Sequence, residues 1–279
     1  MCPMTRFTKY TTLFFILFFE IFTLNAHNAK NLSMIHKVLD LRLATRLCNT
    51  PDEAILKIDS FKNTLVKEEA FTSLNNEEAL IIENMLAQER YNYMYERNMT
   101  GSDLKPYILS QYDKINSYKD LNEGKSFSPW FVLTSGDVIN SSMQFLPQAT
   151  AIKQGLREKD EYDRVIKDNT DMAFAYINSA LWYYFAPAIG GGSKSLAKEY
   201  FQKAIDCSAC DYEAFYSRVY LSQLYFDEGD SQRAKRLLDQ AEEILPGSNY
   251  VSFIHYLNTN NFSLMYYINN REKVEKKLK

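Results

Sequence analysis

Few residues in this chain have the type and spacing that chemistry needs. Gly190-Gly191-Gly192-Ser193-Lys194-Ser195 invites comparison with a phosphate-binding loop. That motif requires a glycine, four residues, then Gly-Lys-Ser/Thr after a buried strand. Here Ser193 separates Gly192 from Lys194, Pro187 occupies the position of the first glycine, and the preceding segment has helical spacing. A structural turn is the better reading: glycines permit left-handed dihedrals that fold a wide helical hairpin back, and Ser193 or Ser195 caps the helix that follows. Cys207-Ser208-Ala209-Cys210 has the spacing of a redox pair. A thioredoxin-like pair begins a helix, where the dipole lowers a thiol pKa. This pair instead follows a helical stretch, Lys198 to Ile205, so it faces the negative end of that dipole. A local disulfide between Cys207 and Cys210, closing a turn between helices, is the expectation; zinc would need a second ligand pair.

Histidine is scarce: His27, His36 and His255 are the three imidazoles, and His255 sits between Ile254 and Tyr256 as a packed residue would. Histidine-based nucleophilic catalysis therefore has little raw material. The acidic runs Glu158-Lys159-Asp160-Glu161, Asp227-Glu228-Gly229-Asp230 and Glu242-Glu243 have the mixed charge of solvated helix faces. Neither a Gly-x-Ser-x-Gly elbow nor a His-Glu-x-x-His helix occurs. The expectation is a protein that is not an enzyme, with no catalytic residue, no metal ligand and no cofactor.

The elements around these residues read as helices. Of 279 residues only 9 are glycine and 7 proline, too few for a fold rich in tight turns, and the 46% hydrophobic, 24% charged balance fits a folded domain. At the start, Arg6 and Lys9 precede the apolar run Leu13 to Leu24, which Glu20 interrupts, and small Ala26 follows. That grammar marks residues 1–26 as a secretory signal, with an uncleaved anchor as the alternative. The expected location is therefore outside the cytoplasm, across the inner membrane in the periplasm. Cys2 lies before the apolar run, so no lipid-modified cysteine is placed there, and membrane association stays open. Two cations and one anion leave with the signal, so the formal charge of −3 becomes −4. That sign argues against a nucleic-acid partner.

Residues 27–125 carry helical periodicity without a repeat. Thr50-Pro51-Asp52-Glu53 is a helix start, with a capping hydroxyl, proline at the first position and acids in the first turn. Asn76 to Asn98, with Leu80, Ile81, Met85, Leu86, Tyr93 and Met94, is expected to be a long buried helix. The stretch Asn122 to Pro129 interrupts the pattern and sets a soft boundary, after which Gly136-Asp137 is expected to open another helix. Over residues 137–262 a period emerges. Ala234-x-x-x-Leu238-x-x-Ala241-x-x-x-x-Pro246 alternates small and large residues on one helix face, so that small positions admit a neighbouring helix and the large one fills the gap. Ala197-x-x-x-Phe201-x-x-Ala204 repeats it 37 residues earlier, and Glu158-x-x-x-Tyr162-x-x-Val165 is a weaker copy 39 residues before that. Residues 263–279 form a terminal cap with a charged tail, as the end of a repeat array requires.

These spacings resemble the tetratricopeptide repeat (TPR), a helix-turn-helix unit of roughly 34 residues. Arg218 and Ser222 depart from the usual Trp and Gly of its first helix. More specifically, the aromatic helix from Ala180 to Phe185, Pro187, the glycine turn 190–192 and the Ala197-x-x-x-Phe201-x-x-Ala204 series resemble the divergent TPR proteins that serve as T-components beside TRAP-type transporters. The resemblance implies an all-α fold of TPR-like hairpins forming an α-solenoid, and a protein partner that is a periplasmic solute-binding component of a transporter. In such a stack the first helix of each unit lines the concave surface. Registering Ala234 as the first small position places Tyr216, Val219, Gln223, Phe226 and Asp227 toward that groove, and, when five residues of the glycine insertion are counted as extra, Phe174, Ile177, Leu181, Tyr184 and Phe185 one unit earlier; core packing is the alternative for each aromatic. Two functions follow: an extracytoplasmic scaffold that engages a protein partner, or a carrier of a small hydrophobic ligand between hairpins. An envelope hydrolase is the third and least supported reading.

Overall fold

Local sequence chemistry sets the helix starts. Thr50 Oγ1 accepts the Glu53 N–H at 3.2 Å, with Pro51 at the first helical position, and α2 runs Pro51–Leu65. Asn75 and Glu78 form a reciprocal capping box that opens α4, Asn76–Arg97. Ser128 caps α6, Pro129–Ser142. The computed structural model describes residues 31–187 and 190–278. The segment read as a signal, His27 with it, lies outside them.

Every element among the described residues is helical. The chain begins with α1 (31–44) and a short 3-10 turn, Thr45–Leu47. After α2 come α3 (Glu69–Thr72), α4 and α5 (Leu104–Leu121). Next are α6, α7 (Gln148–Asp168), α8 (Ala173–Phe185) and α9 (Lys194–Cys207). The series ends with α10 (Asp211–Asp227), α11 (Ser231–Ile244), α12 (Asn249–Thr259), α13 (Leu264–Asn269) and α14 (Arg271–Leu278). No described helix is long and apolar enough to cross a membrane.

From α4 onward neighbours in sequence are neighbours in space: α4 packs on α5 and α6, α6 on α7, α7 on α8, α8 on α9, α9 on α10 and α10 on α11. The two tightest pairs, α8 with α9 and α10 with α11, are the hairpins that carry the small-large-small series. Ala197, Phe201, Ala204, Ala234, Leu238 and Ala241 are all at most 1% exposed, so the small residues lie where helices meet. Gly229, at φ 85°, turns α10 into α11 in a conformation that favours glycine.

Three expectations change. Gly136-Asp137 does not open a helix; both lie inside α6, which starts at Pro129 because Ser128 supplies the cap. Gly136 leaves the room there that the Tyr162 phenol occupies: a Cβ at this position would clash with its hydroxyl. The interruption at Asn122 to Pro129 is a loop between α5 and α6, yet one apolar core runs from Met34 to Leu264 across it, since α4 of the first half packs on α6 of the second. Finally, Glu158 does not face water. It is fully buried on α7 with Tyr162, Val165 and Ile166, because it occupies a small position of the repeat pattern, which points inward.

Candidate ligand-binding site

The site is built from two faces that sequence periodicity alone does not bring together. α1 presents Arg42 and, from the turn that follows, Arg46, one helical turn apart on a segment otherwise rich in aliphatic residues. α10 presents Tyr212, Tyr216 and Tyr220 at matching intervals. Arg46 Nε donates to the Tyr216 hydroxyl, and the Arg42 guanidinium lies 5.5 Å from the Tyr212 ring centroid. The expected open groove is thereby closed: α1 stands over the inner face of α10, and the C-terminal end folds back onto the first half. Asn249 Nδ2 donates to the carbonyls of Leu47 and Cys48 at 3.1 and 3.0 Å, and Arg271 Nη2 donates to the Glu96 carbonyl at 2.8 Å.

Between these faces lies a cavity of about 620 Å³. That is the size of a small-molecule site. Its polar end is charged. Arg42 Nε donates to Glu89 Oε2 at 3.1 Å, and Thr45 Oγ1 donates to Glu89 Oε1 at 3.1 Å. Arg42 and Glu89 are 4% and 2% exposed, so this pair is held out of water. Arg46 lies against the rings of Tyr250, Tyr93 and Tyr216, with centroids at 4.5, 5.2 and 5.5 Å. Burial works against the charge on both arginines, but the phenol oxygens and Glu89 around them outweigh it and keep both guanidiniums charged. Asp137, on α6, completes the polar end. Burial pushes its carboxyl up to about 6, opposed by Arg42 and assisted by Glu89. Burial likewise raises the phenols of Tyr212, Tyr216 and Tyr162, so they line the cavity as neutral groups.

The other wall is apolar. α8 contributes Ile177, Leu181, Trp182 and Phe185, and α7 contributes Ile152 and Leu156. Ile152, Leu156, Phe185 and Ile268 are 57%, 49%, 37% and 47% exposed, which places large apolar side chains where the cavity meets solvent. The cavity is therefore amphipathic: arginines and tyrosines inside, aliphatic and aromatic groups toward the opening.

Of the groove residues expected from the repeat register, Ile177, Leu181, Phe185 and Tyr216 line this cavity. The remainder have other work. Phe174 is buried against Trp130 and Tyr212. Tyr184 belongs to a second core cluster formed by α8, α9 and α10. Val219 is wholly buried. Gln223 Oε1 accepts the Leu264 N–H at 2.9 Å, which ties α13 to α10. Phe226 is half-buried beyond the cavity, and Asp227 Oδ2 accepts from Lys194 Nζ at 2.9 Å. The lysine of the glycine-rich segment is thus engaged in an ion pair, and Ser193 caps α9 by accepting the Leu196 N–H.

Lining residues that repeat spacing did not single out include Arg42, Arg46, Glu89, Asp137, Trp182, Tyr212 and Tyr220. One signal pointed to Glu89 and the cations it needs. Asn84, Gln88 and Glu89 are polar residues on one side of a helix whose apolar spacing already requires burial, and a buried carboxylate needs a cation. The local disulfide expected at Cys207 and Cys210 is not formed: both are free thiols. Burial raises both, Cys210 to about 11, and nearby Glu213 adds to it, so neither is an activated thiolate. His255 is half-exposed on α12, 3.9 Å from Asp239, rather than packed. No cluster of three metal-ligating side chains occurs among the described residues. No protein-family model matches the chain, and no curated protein matches it.

Proposed function

We propose that this protein is a small-ligand binding protein: an extracytoplasmic, TPR-like helical-repeat scaffold that holds an apolar or amphipathic molecule without turning it over. The observation that carries this reading is the cavity, closed on one side by α1 and α4 and walled on the other by α7, α8 and α10. Burial of Ala197, Ala204, Ala234 and Ala241 at the contacts of two successive hairpins supports the repeat assignment. Between the two functions expected from the sequence, the ligand carrier gains most support, because the inner aromatic face is covered by this chain's own first helix. The protein-partner reading keeps one observation of its own, the exposed Ile152, Leu156, Phe185 and Ile268 around the opening. Apolar groups gathered at a cavity mouth suit a partner that docks there, in the manner of a T-component handing ligand to a solute-binding protein.

Native mass spectrometry of the purified protein tests the proposal. An adduct that survives gentle ionisation and is lost under solvent extraction supports a carrier. A clean ligand-free mass together with a co-purifying protein supports the scaffold instead.

A further inference from the structure

From the polarity of the cavity, and resting on the ligand-carrier reading above, we propose that the bound molecule is an amphipathic monoanion whose carboxylate sits at the Arg42–Arg46 end and whose apolar chain runs along Leu181 and Phe185 toward the opening. The first support is an unused donor. Arg42 lines the cavity and is 4% exposed, its Nε is committed to Glu89, and its Nη1 is buried with no hydrogen-bond partner among the described residues. A buried guanidinium with a free N–H is costly unless something accepts from it. A carboxylate does so with two oxygens, in the planar geometry that arginine matches best.

The second support is the charge balance. Two arginines line the cavity, and Glu89 is already taken by Arg42 and Thr45. Both arginines share that one carboxylate, Arg46 Nη2 lying 4.0 Å from Glu89 Oε1, while burial and Glu89 disfavour the charged form of Asp137, the remaining carboxyl. A single ligand carboxylate adds an acceptor beside the two arginines, whereas a dianion adds excess negative charge beside Glu89 and a cation adds to the arginines. The third support is direction: the exposed apolar residues Ile152, Leu156 and Phe185 lie at the opening, so a chain leads outward from a head held inside.

The test compares three probes of equal chain length on the purified protein: decanoate, 1-decanol and decylammonium, titrated by calorimetry and by fluorescence of Trp182 in the cavity wall. Decanoate is expected to bind more tightly than either of the others by at least about tenfold. Arg46→Gln is expected to lower decanoate affinity by a similar factor and leave decanol unchanged; should that variant fail to fold, the ranking on the unaltered protein decides. Equal binding of decanol and decanoate, or tightest binding of decylammonium, overturns the carboxylate assignment and leaves the carrier reading standing. Binding of none of the three overturns both.

Discussion

The two halves of the molecule bury helices by different chemistry. In α8 to α11 the small-large-small contacts between paired helices are apolar, with alanines at 197, 204, 234 and 241 letting helices approach and Phe201 and Leu238 filling the space between. In the first half the central helix α4 is buried on most sides and carries polar groups into the interior. Asn84 accepts from Gln111 Nε2 at 2.7 Å and donates to Ser135 Oγ at 3.3 Å; Gln88 donates to Ser141 Oγ at 2.8 Å; Glu89 holds Arg42. The hairpins give a wall, and the polar half gives that wall something selective to face.

The largest effect should come from cutting the polar half at its charge pair. Glu89→Ala leaves Arg42 and Arg46 buried without their carboxylate, and urea denaturation should show a loss of about 3–5 kcal/mol. The double variant Arg42→Met, Glu89→Met should recover most of that stability while abolishing decanoate binding. A Glu89→Ala protein as stable as the parent would mean that the pair is not the support of the first half.

Next is Glu158, a carboxylate fully buried on α7, which leads into the hairpins. Both its oxygens lack hydrogen-bond partners, and burial raises its pKa from 4.5 to about 7, against the pull of Lys119. Because the folded value lies above the unfolded one, its contribution is fully present below about pH 4.5 and is lost as pH rises to about 7. Glu158→Gln should therefore flatten the stability profile between about pH 4.5 and 7 and exceed the parent at pH 8 by up to about 3 kcal/mol. An unchanged pH profile would place that carboxylate in contact with water.

Ala241→Leu tests the apolar half directly. Its side chain has no exposure, so the added bulk should cost about 1–3 kcal/mol in thermal or urea unfolding. Tolerance of the larger residue would remove the distinction drawn between the halves. The smallest effect belongs to Lys194→Ala. Its ion pair with Asp227 is half exposed, so stability should change by less than about 1 kcal/mol. Calorimetry should detect no binding of a nucleotide or inorganic phosphate to either protein; binding to the parent that vanishes in the variant would overturn the structural reading of the glycine turn.

What the sequence determined by itself is the set of helices and the inward face of each. Thr50, Asn75 and Ser128 fix helix starts through hydrogen bonds that reach three residues, and the alternation of Ala234, Leu238 and Ala241 fixes a face within two turns. These are short-range effects, legible because cause and consequence lie close together in the chain. The cavity is different. Arg46 and Tyr216 stand 170 residues apart and meet because hairpin stacking brings α10 under α1. The polar residues of α4 announced that something charged was buried without saying what opposed it. Glu158 occupied a position whose spacing called for burial while its charge called for water, and packing decided between them. Only the tertiary structure settles such cases, since partner choice depends on the summed angles of many helix contacts, each fixed locally and none specifying the whole.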